Sequence, residues 1–313
     1  MDNSPSPLSK HLIPDNTKYF HSETSFSERA LAAAELVTTP YAIIGADDEV
    51  YLPNALDKMQ KFLEDNKEYD SVGAATLAIW KYGSLVAGSW AYRKTTGYHN
   101  NKNTPIARIA HHTGHGTNPI TSFFTCNLTR REILINCLKL YGVSPIVCTD
   151  ALSVLMICGA GKSKYLNILY WIRNWNQSPR SHSNWNRNIS IYEWWNQPNL
   201  NQAKINFESF LAEAYNKISD INNFNEAWNY CIQAENILRK EPKKMRVYLQ
   251  YFNEQQWLKK IKYSLKRLTF SNKMPVTVDT IFNEFKQNNI DVDLIESRYA
   301  IEIVKNLKPY KYW

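Results

Sequence analysis

An α/β fold is the class this sequence predicts, and two regimes of patterning predict it. Up to about residue 200, short apolar runs of β type alternate with helical patterns and Gly/Pro/Asn breaks, as in a layered α/β domain. Beyond that point helical periodicity dominates and glycines are few, so 1–200 is expected as an α/β domain and 201–313 as a mainly helical C-terminal extension. With 313 residues, 44% hydrophobic, there is ample apolar material for a core. An aromatic content of 13% argues against a disordered chain.

The first element is a helix opening at Ser25, where Ser25 and Glu28 form a capping box and Arg29 to Val37 form the body. Thr38-Thr39-Pro40 stops it, because proline disfavours α geometry in the residue before it. Tyr41 to Ala46 is an apolar run without polar alternation, the pattern of a strand buried on both faces, and it ends in Asp47-Asp48-Glu49. Leu52-Pro53 then starts a second helix with proline in its first turn, and Ala55, Leu56, Met59, Phe62 and Leu63 give it one apolar face. Ser71 to Ile79 and Ser84 to Tyr92 are expected as strands joined by a turn at Tyr82-Gly83. The polar stretch from Thr95 to Asn118 is expected as a loop, and Thr149 to Cys158 as a helix capped by Thr149 and ended by Gly159. Residues 170–199, crowded with Trp, Asn, Ser and Pro, are expected as a long irregular segment of the kind that forms binding surfaces.

Charge and targeting narrow the function classes. The formal charge of +8 favours an anionic partner, whether nucleic acid, an acidic membrane surface or a phosphate-bearing small molecule. No nucleic-acid-binding motif is present and the basic residues are dispersed, so nucleic acid is set aside. Five cysteines without zinc spacing read as reduced thiols. Without a secretory signal or a long apolar span, a cytoplasmic location is expected, with a peripheral contact at the inner face of the membrane allowed. The sequons at Asn127 and Asn188 are then coincidental. A C-terminal stretch, Trp257, Leu258, Ile261, Leu265 and Leu268 flanked by lysines, suits an ordinary packed helix better than an interfacial one.

Among groups able to do chemistry, Asp47-Asp48-Glu49 stands out. Adjacent like charges at the exit of a buried strand are costly unless a cation neutralises them, and hard dications prefer oxygen ligands. Ligands of open α/β sheets also sit at the carboxyl ends of strands. A solvated acidic turn ahead of the Leu52 helix accounts for the same residues equally well. Gly161-Lys162-Ser163 is not a P-loop, since Met156 stands where that motif needs its first glycine, although Lys162 can still meet a diphosphate. His111, His112 and His115 are read as surface-loop residues rather than a zinc site, because Gly114 and Gly116 oppose a helix. Arg173 and Arg180 are able to pair with phosphate. The tryptophans from Trp171 to Trp195 fit either sugar stacking or core packing.

The stretch Phe26-Ser27-Glu28-Arg29, Thr39-Pro40-Tyr41, Ala46-Asp47-Asp48-Glu49 and Leu52-Pro53-Asn54-Ala55-Leu56, followed by Phe62 to Gly73, resembles family-2-type nucleotide-sugar glycosyltransferases. The resemblance covers residues 15–80 well and extends weakly to about 200. It implies a GT-A-like (Rossmann-like) mixed sheet flanked by helices, with a DxD-type motif. By that resemblance Asp47 and Asp48 contact the donor, with Arg29 and Lys162, while Asp47, Glu49 and His182 hold Mg²⁺ or Mn²⁺. Glu49 stands where Asp is commoner. Asp150, at a helix start, is the candidate catalytic base for the acceptor hydroxyl, although the helix dipole alone also favours an acid there.

The activity implied is transfer of a sugar from a nucleotide-diphosphate donor to a hydroxyl-bearing glycan or lipid-linked acceptor, in cell-surface polysaccharide synthesis. The alternative is a catalytically inactive remnant that binds glycan or a protein partner. Met1-Asp2-Asn3-Ser4 resembles the end of that family's second strand, so the domain is expected to be N-terminally incomplete.

Overall fold

A computed structural model describes residues 6–24, 26–45, 49–82, 85–93, 96–114, 126–141, 149–174, 196–219, 225–231 and 276–306. It shows an α/β protein with a mixed sheet flanked by helices. Among the described residues the sheet has eight strands: β1 (Tyr41–Ala42), β2 (Glu49–Tyr51), β3 (Tyr69–Tyr82), β4 (Leu85–Ala91), β5 (His99–Asn100), β6 (Leu128–Arg130), β7 (Lys162–Asn174) and β8 (Val276–Thr277). Its spine is the parallel pair β3–β7, which runs from Tyr69 opposite Lys162 to Ile79 opposite Asn174. Every other ladder is antiparallel: β4 and β6 border β3, β2 and β5 border β7, β1 pairs with β6, and β8 with β4.

Every residue from Ser71 to Ile79 is buried, so both faces of β3 are covered. One set of helices comprises α2 (Pro53–Asp65) on β3 and β7, α7 (Val278–Gln287) on β4, and α8 (Leu294–Asn306) on β2 and β7. The other set, α3 (Pro105–Gly114), α4 (Arg131–Tyr141), α5 (Thr149–Ala160) and α6 (Asn201–Ser219), packs within itself, and α5 reaches β3 and β7. The first helix, α1 (Phe26–Leu36), lies on α4.

Local rules explain the elements that were expected. At the start of α2 Pro53 has no N–H to satisfy, the Asn54 amide donates to Glu296 Oε1 at 3.1 Å, and the Leu52 amide bonds the Tyr170 carbonyl at 2.8 Å. Ala55, Met59 and Leu63 form its buried stripe. The expected hairpin is β3–β4, in register from Thr76 opposite Ala91 to Tyr82 opposite Leu85. Ser25, on which the α1 capping box depends, lies outside the described residues.

Four expectations change. The strand expected over 41–46 is only two residues long as β1, and Glu49 opens a separate strand, β2, that pairs with Arg173-Ile172-Trp171. The loop expected over 95–118 contains β5 and α3. Thr104 accepts a hydrogen bond from the Ala107 amide at 3.2 Å, Pro105 is the first helical residue, and the described helix runs through to Gly114, which does not prevent it. His111 and His112 are therefore helical, and His115 lies outside the described residues. The irregular segment expected from residue 170 begins as strand: β7 continues to Asn174 and Trp171 is fully buried.

Residues 276–306 pack onto the sheet. β8 adds to β4, α7 buries Ile281, Phe282 and Phe285, and α8 buries Ala300, Ile301 and Val304. Between these helices the Asp291 amide bonds Asn167 O and the Leu169 amide bonds Asp291 O, each at 2.8 Å, stitching the segment to β7. The helical stretch at 257–268 lies outside the described residues. Asn127, in one sequon, is buried and donates to Ser71 Oγ at 3.0 Å, which leaves no room for a glycan in the folded chain; Asn188 lies outside the described residues.

Phe285 is fully buried, edge-on to Trp90 with centroids 5.0 Å apart. Phe285→Ala is expected to lower stability by about 3–5 kcal/mol. In urea denaturation, tryptophan fluorescence and circular dichroism should shift together; a fluorescence transition that stays in place would show residues 276–306 to be energetically separate.

Candidate functional site at the carboxyl end of the parallel strands

The carboxyl ends of β3 and β7 lie at one end of the sheet, where α/β folds bind ligands. β2 runs antiparallel beside β7 and sets Glu49 opposite Arg173. Glu49 Oε1 lies 2.9 Å from Arg173 Nε; the Glu49 side chain is 6% exposed and that of Arg173 18%. The guanidinium donates to the Tyr92 hydroxyl and lies 5.2 Å from the Trp171 ring centroid and 6.0 Å from that of Tyr92. Tyr51 and Tyr92 both stack on Trp171, at centroid separations of 5.7 and 6.1 Å.

Tyr92 follows β4 with φ of 52°, a left-handed conformation that is rare for an aromatic residue. Such strain costs on the order of 1–3 kcal/mol and persists only where surrounding contacts enforce it. Here the ring stack and the arginine supply those contacts. The Tyr51 hydroxyl donates to Ile44 O at 3.0 Å and the Tyr170 hydroxyl to Cys126 O at 3.1 Å. Burial is the main cause that raises both phenols far above their ordinary range, so they act as neutral hydrogen-bond donors rather than bases.

Of the expected site residues, Glu49 is at this end of the sheet, and Asp47 and Asp48 immediately precede it but lie outside the described residues, as does His182. Asp150 is in the first turn of α5; its side chain lies outside what is described. Only Gly161 separates α5 from β7 in the chain, and α5 packs on β3 and β7. Arg29 is in α1, where its guanidinium donates to the Thr24 carbonyl.

Lys162 is elsewhere. It opens β7 opposite Tyr69, and most of a 13-residue strand separates it from Arg173, roughly 35 Å at about 3.3 Å per residue. Lys162 and Glu49 therefore do not form one site. Trp171, one of the tryptophans that fitted either sugar stacking or core, is core: it is fully buried. Tyr51 and Tyr92 escape sequence reasoning because their meeting depends on the β2–β7 and β3–β7 registers.

A dication at Glu49 fits this geometry poorly. Its carboxylate is already neutralised by a fixed guanidinium, which would repel a metal ion at the same oxygens. Metal binding by the acidic trio thus rests on Asp47 and Asp48.

The amino end has different chemistry. Tyr69 Oη lies 2.5 Å from His99 Nε2, and Lys164 is the cross-strand neighbour of His99. Arg108, buried, donates to Cys158 O and Gly159 O, each at 2.6 Å, and so caps the carboxyl end of α5. His112 is bonded to the Tyr98 hydroxyl at 3.0 Å. Gly161 is needed here because a Cβ would sit 1.9 Å from Asp70 Oδ2, whose carboxylate pairs with Arg130.

No protein-family model matches this chain, and no curated protein matches it. No helix among the described residues is long and apolar enough to cross a membrane.

Two outcomes test this description. Arg173→Met is expected to cost about 3 kcal/mol, because it leaves Glu49 buried without its cation, while the double change Glu49→Gln/Arg173→Met should recover most of that loss in thermal denaturation. His99 titrates below its usual value of 6.5, through burial first and then the charges of Lys164, Lys162 and His111. The unfolded chain then binds that proton more readily, so this part of the stability is complete above about pH 6.5 and is lost as pH falls through the folded value. His99→Gln should flatten the acid limb of the melting-temperature profile; an unchanged limb would remove His99 as its source.

Proposed function

We propose that the chain is a glycosyltransferase that moves a sugar from a nucleotide-diphosphate donor to a hydroxyl acceptor on a glycan or lipid-linked molecule, in cell-surface polysaccharide assembly. The observation that carries this reading is the charged Glu49–Arg173 pair, braced by Tyr92, at the carboxyl end of the β3–β7 pair. Its support is twofold: a mixed sheet of the expected class and an acidic motif leading directly into β2.

In this reading Asp47 and Asp48 face the donor, and Mg²⁺ or Mn²⁺, where required, is held through them rather than through Glu49. Asp150 takes the proton from the attacking hydroxyl, a role in which a positioned carboxylate contributes on the order of 10²–10⁴-fold. Tyr51 and Tyr170 stay protonated and keep the floor of the site rigid. The setting is the cytoplasmic side, with contact to the membrane surface where the acceptor is lipid-linked.

The test is release of nucleoside diphosphate from a panel of nucleotide sugars, with and without Mn²⁺. Asp47→Ala should abolish release and Asp150→Asn should lower transfer by about 100-fold or more, both with unchanged circular dichroism. Full turnover in the Asp47 variant would overturn the assignment. Calorimetry showing no nucleotide-sugar affinity, with or without metal, would favour a glycan- or protein-binding remnant instead.

A further inference from the structure

We infer that Arg173 supplies the positive charge that meets the donor's diphosphate, with Glu49 as its fixed counter-ion rather than a metal ligand. The inference rests on the proposed transferase reading and departs from a metal-centred version of it. Three observations carry it.

The first is asymmetry of exposure. Within the pair the Glu49 side chain is the more deeply buried member, at 6% exposed, and the Arg173 side chain the less buried, at 18%. More of the arginine than of the glutamate is therefore open to solvent. The second is pre-organisation. Arg173 is oriented by Glu49 at Nε, by the Tyr92 hydroxyl at Nη1 and by the faces of Trp171 and Tyr92, so little side-chain freedom remains to be lost on binding. A planar guanidinium with five N–H donors is also the side chain best suited to bind two phosphate oxygens at once.

The third is position. Arg173 is opposite Ala78 near the carboxyl end of the parallel pair, and Glu49 is the residue after Asp48. Glu49 and Arg173 thus meet at this end of the sheet from two strands.

The two roles for Glu49 predict opposite signs. As a metal ligand, its loss weakens ligand binding. As a counter-ion that partly cancels Arg173, its neutralisation leaves diphosphate binding intact or tighter. Calorimetry with uridine and guanosine diphosphate on the full chain, in chelator and then in Mn²⁺, separates them. The expected result is binding in chelator that Glu49→Gln leaves unchanged or strengthens. The Glu49→Gln/Arg173→Met double variant, which keeps the fold because both charges go together, should bind about tenfold or more weakly than Glu49→Gln.

Binding that appears only with Mn²⁺ and disappears in Glu49→Gln would overturn the inference and leave the transferase reading standing. Equal affinity in Glu49→Gln and the double variant would also overturn it. Absence of binding by either nucleotide under both conditions would remove the transferase reading and the inference together.

Discussion

The parallel pairing of β3 with β7 is the constraint on which the rest of the molecule depends. Both strands are long, and β3 is buried on each face over nine consecutive residues, from Ser71 to Ile79. A parallel pair cannot be closed by a tight turn. The chain between them therefore has to travel, and it does so through β4, β5, β6 and the helices α3 to α5 before Gly161 returns it to the sheet. β7 then holds much of what remains: β2 and β5 along one edge, and Asp291 at the irregularity near Ile168. A shift of one residue in this register would turn Trp171 out of the core and carry Arg173 away from Glu49.

That dependence explains why the two ends of the sheet differ in character. At the amino end the polar groups serve local closure: Arg108 satisfies the last carbonyls of α5, and Asp70 pairs with Arg130 beside a glycine that admits no side chain. Those contacts are short, internally matched and explained by the backbone groups they satisfy. At the carboxyl end, Glu49 and Arg173 form a largely buried ion pair. Each ion loses several kcal/mol of hydration when buried, and apolar side chains of similar volume often serve stability as well or better. Tyr92 adds backbone strain of its own. These costly features thus converge at the end of the sheet where α/β folds receive ligands.

Legibility in the sequence followed the range of the interactions. α2 was readable from Pro53 and the spacing of Ala55, Met59 and Leu63, because capping and helical period are properties of a dozen neighbouring residues. The β3–β4 hairpin was readable for the same reason. The strands β2, β5 and β8, two or three residues each, exist only because a distant partner presents an edge, and nothing in Glu49-Val50-Tyr51 alone announces β7. α3 was within reach: Thr104-Pro105 is a start signal, and a glycine at the far edge of the pattern, Gly114, is compatible with the helix. Trp171 was obscured by its surroundings, a Trp- and Asn-rich stretch whose composition suggests a surface segment although its first residues are core strand.

The acidic motif shows how a residue can stand out in the sequence while its partner in the fold goes unseen. Three adjacent carboxylates demand a compensating charge, and that electrostatic requirement is sound. A dication is one way of meeting it. For Glu49 the protein meets it with its own arginine, brought from a strand that no local pattern connects to residue 49. The guanidinium is held by Glu49, Tyr92 and Trp171, so its position is fixed by the fold itself. The β2–β7 register, by setting Glu49 opposite Arg173, thus builds a balanced pair of charges into this end of the sheet.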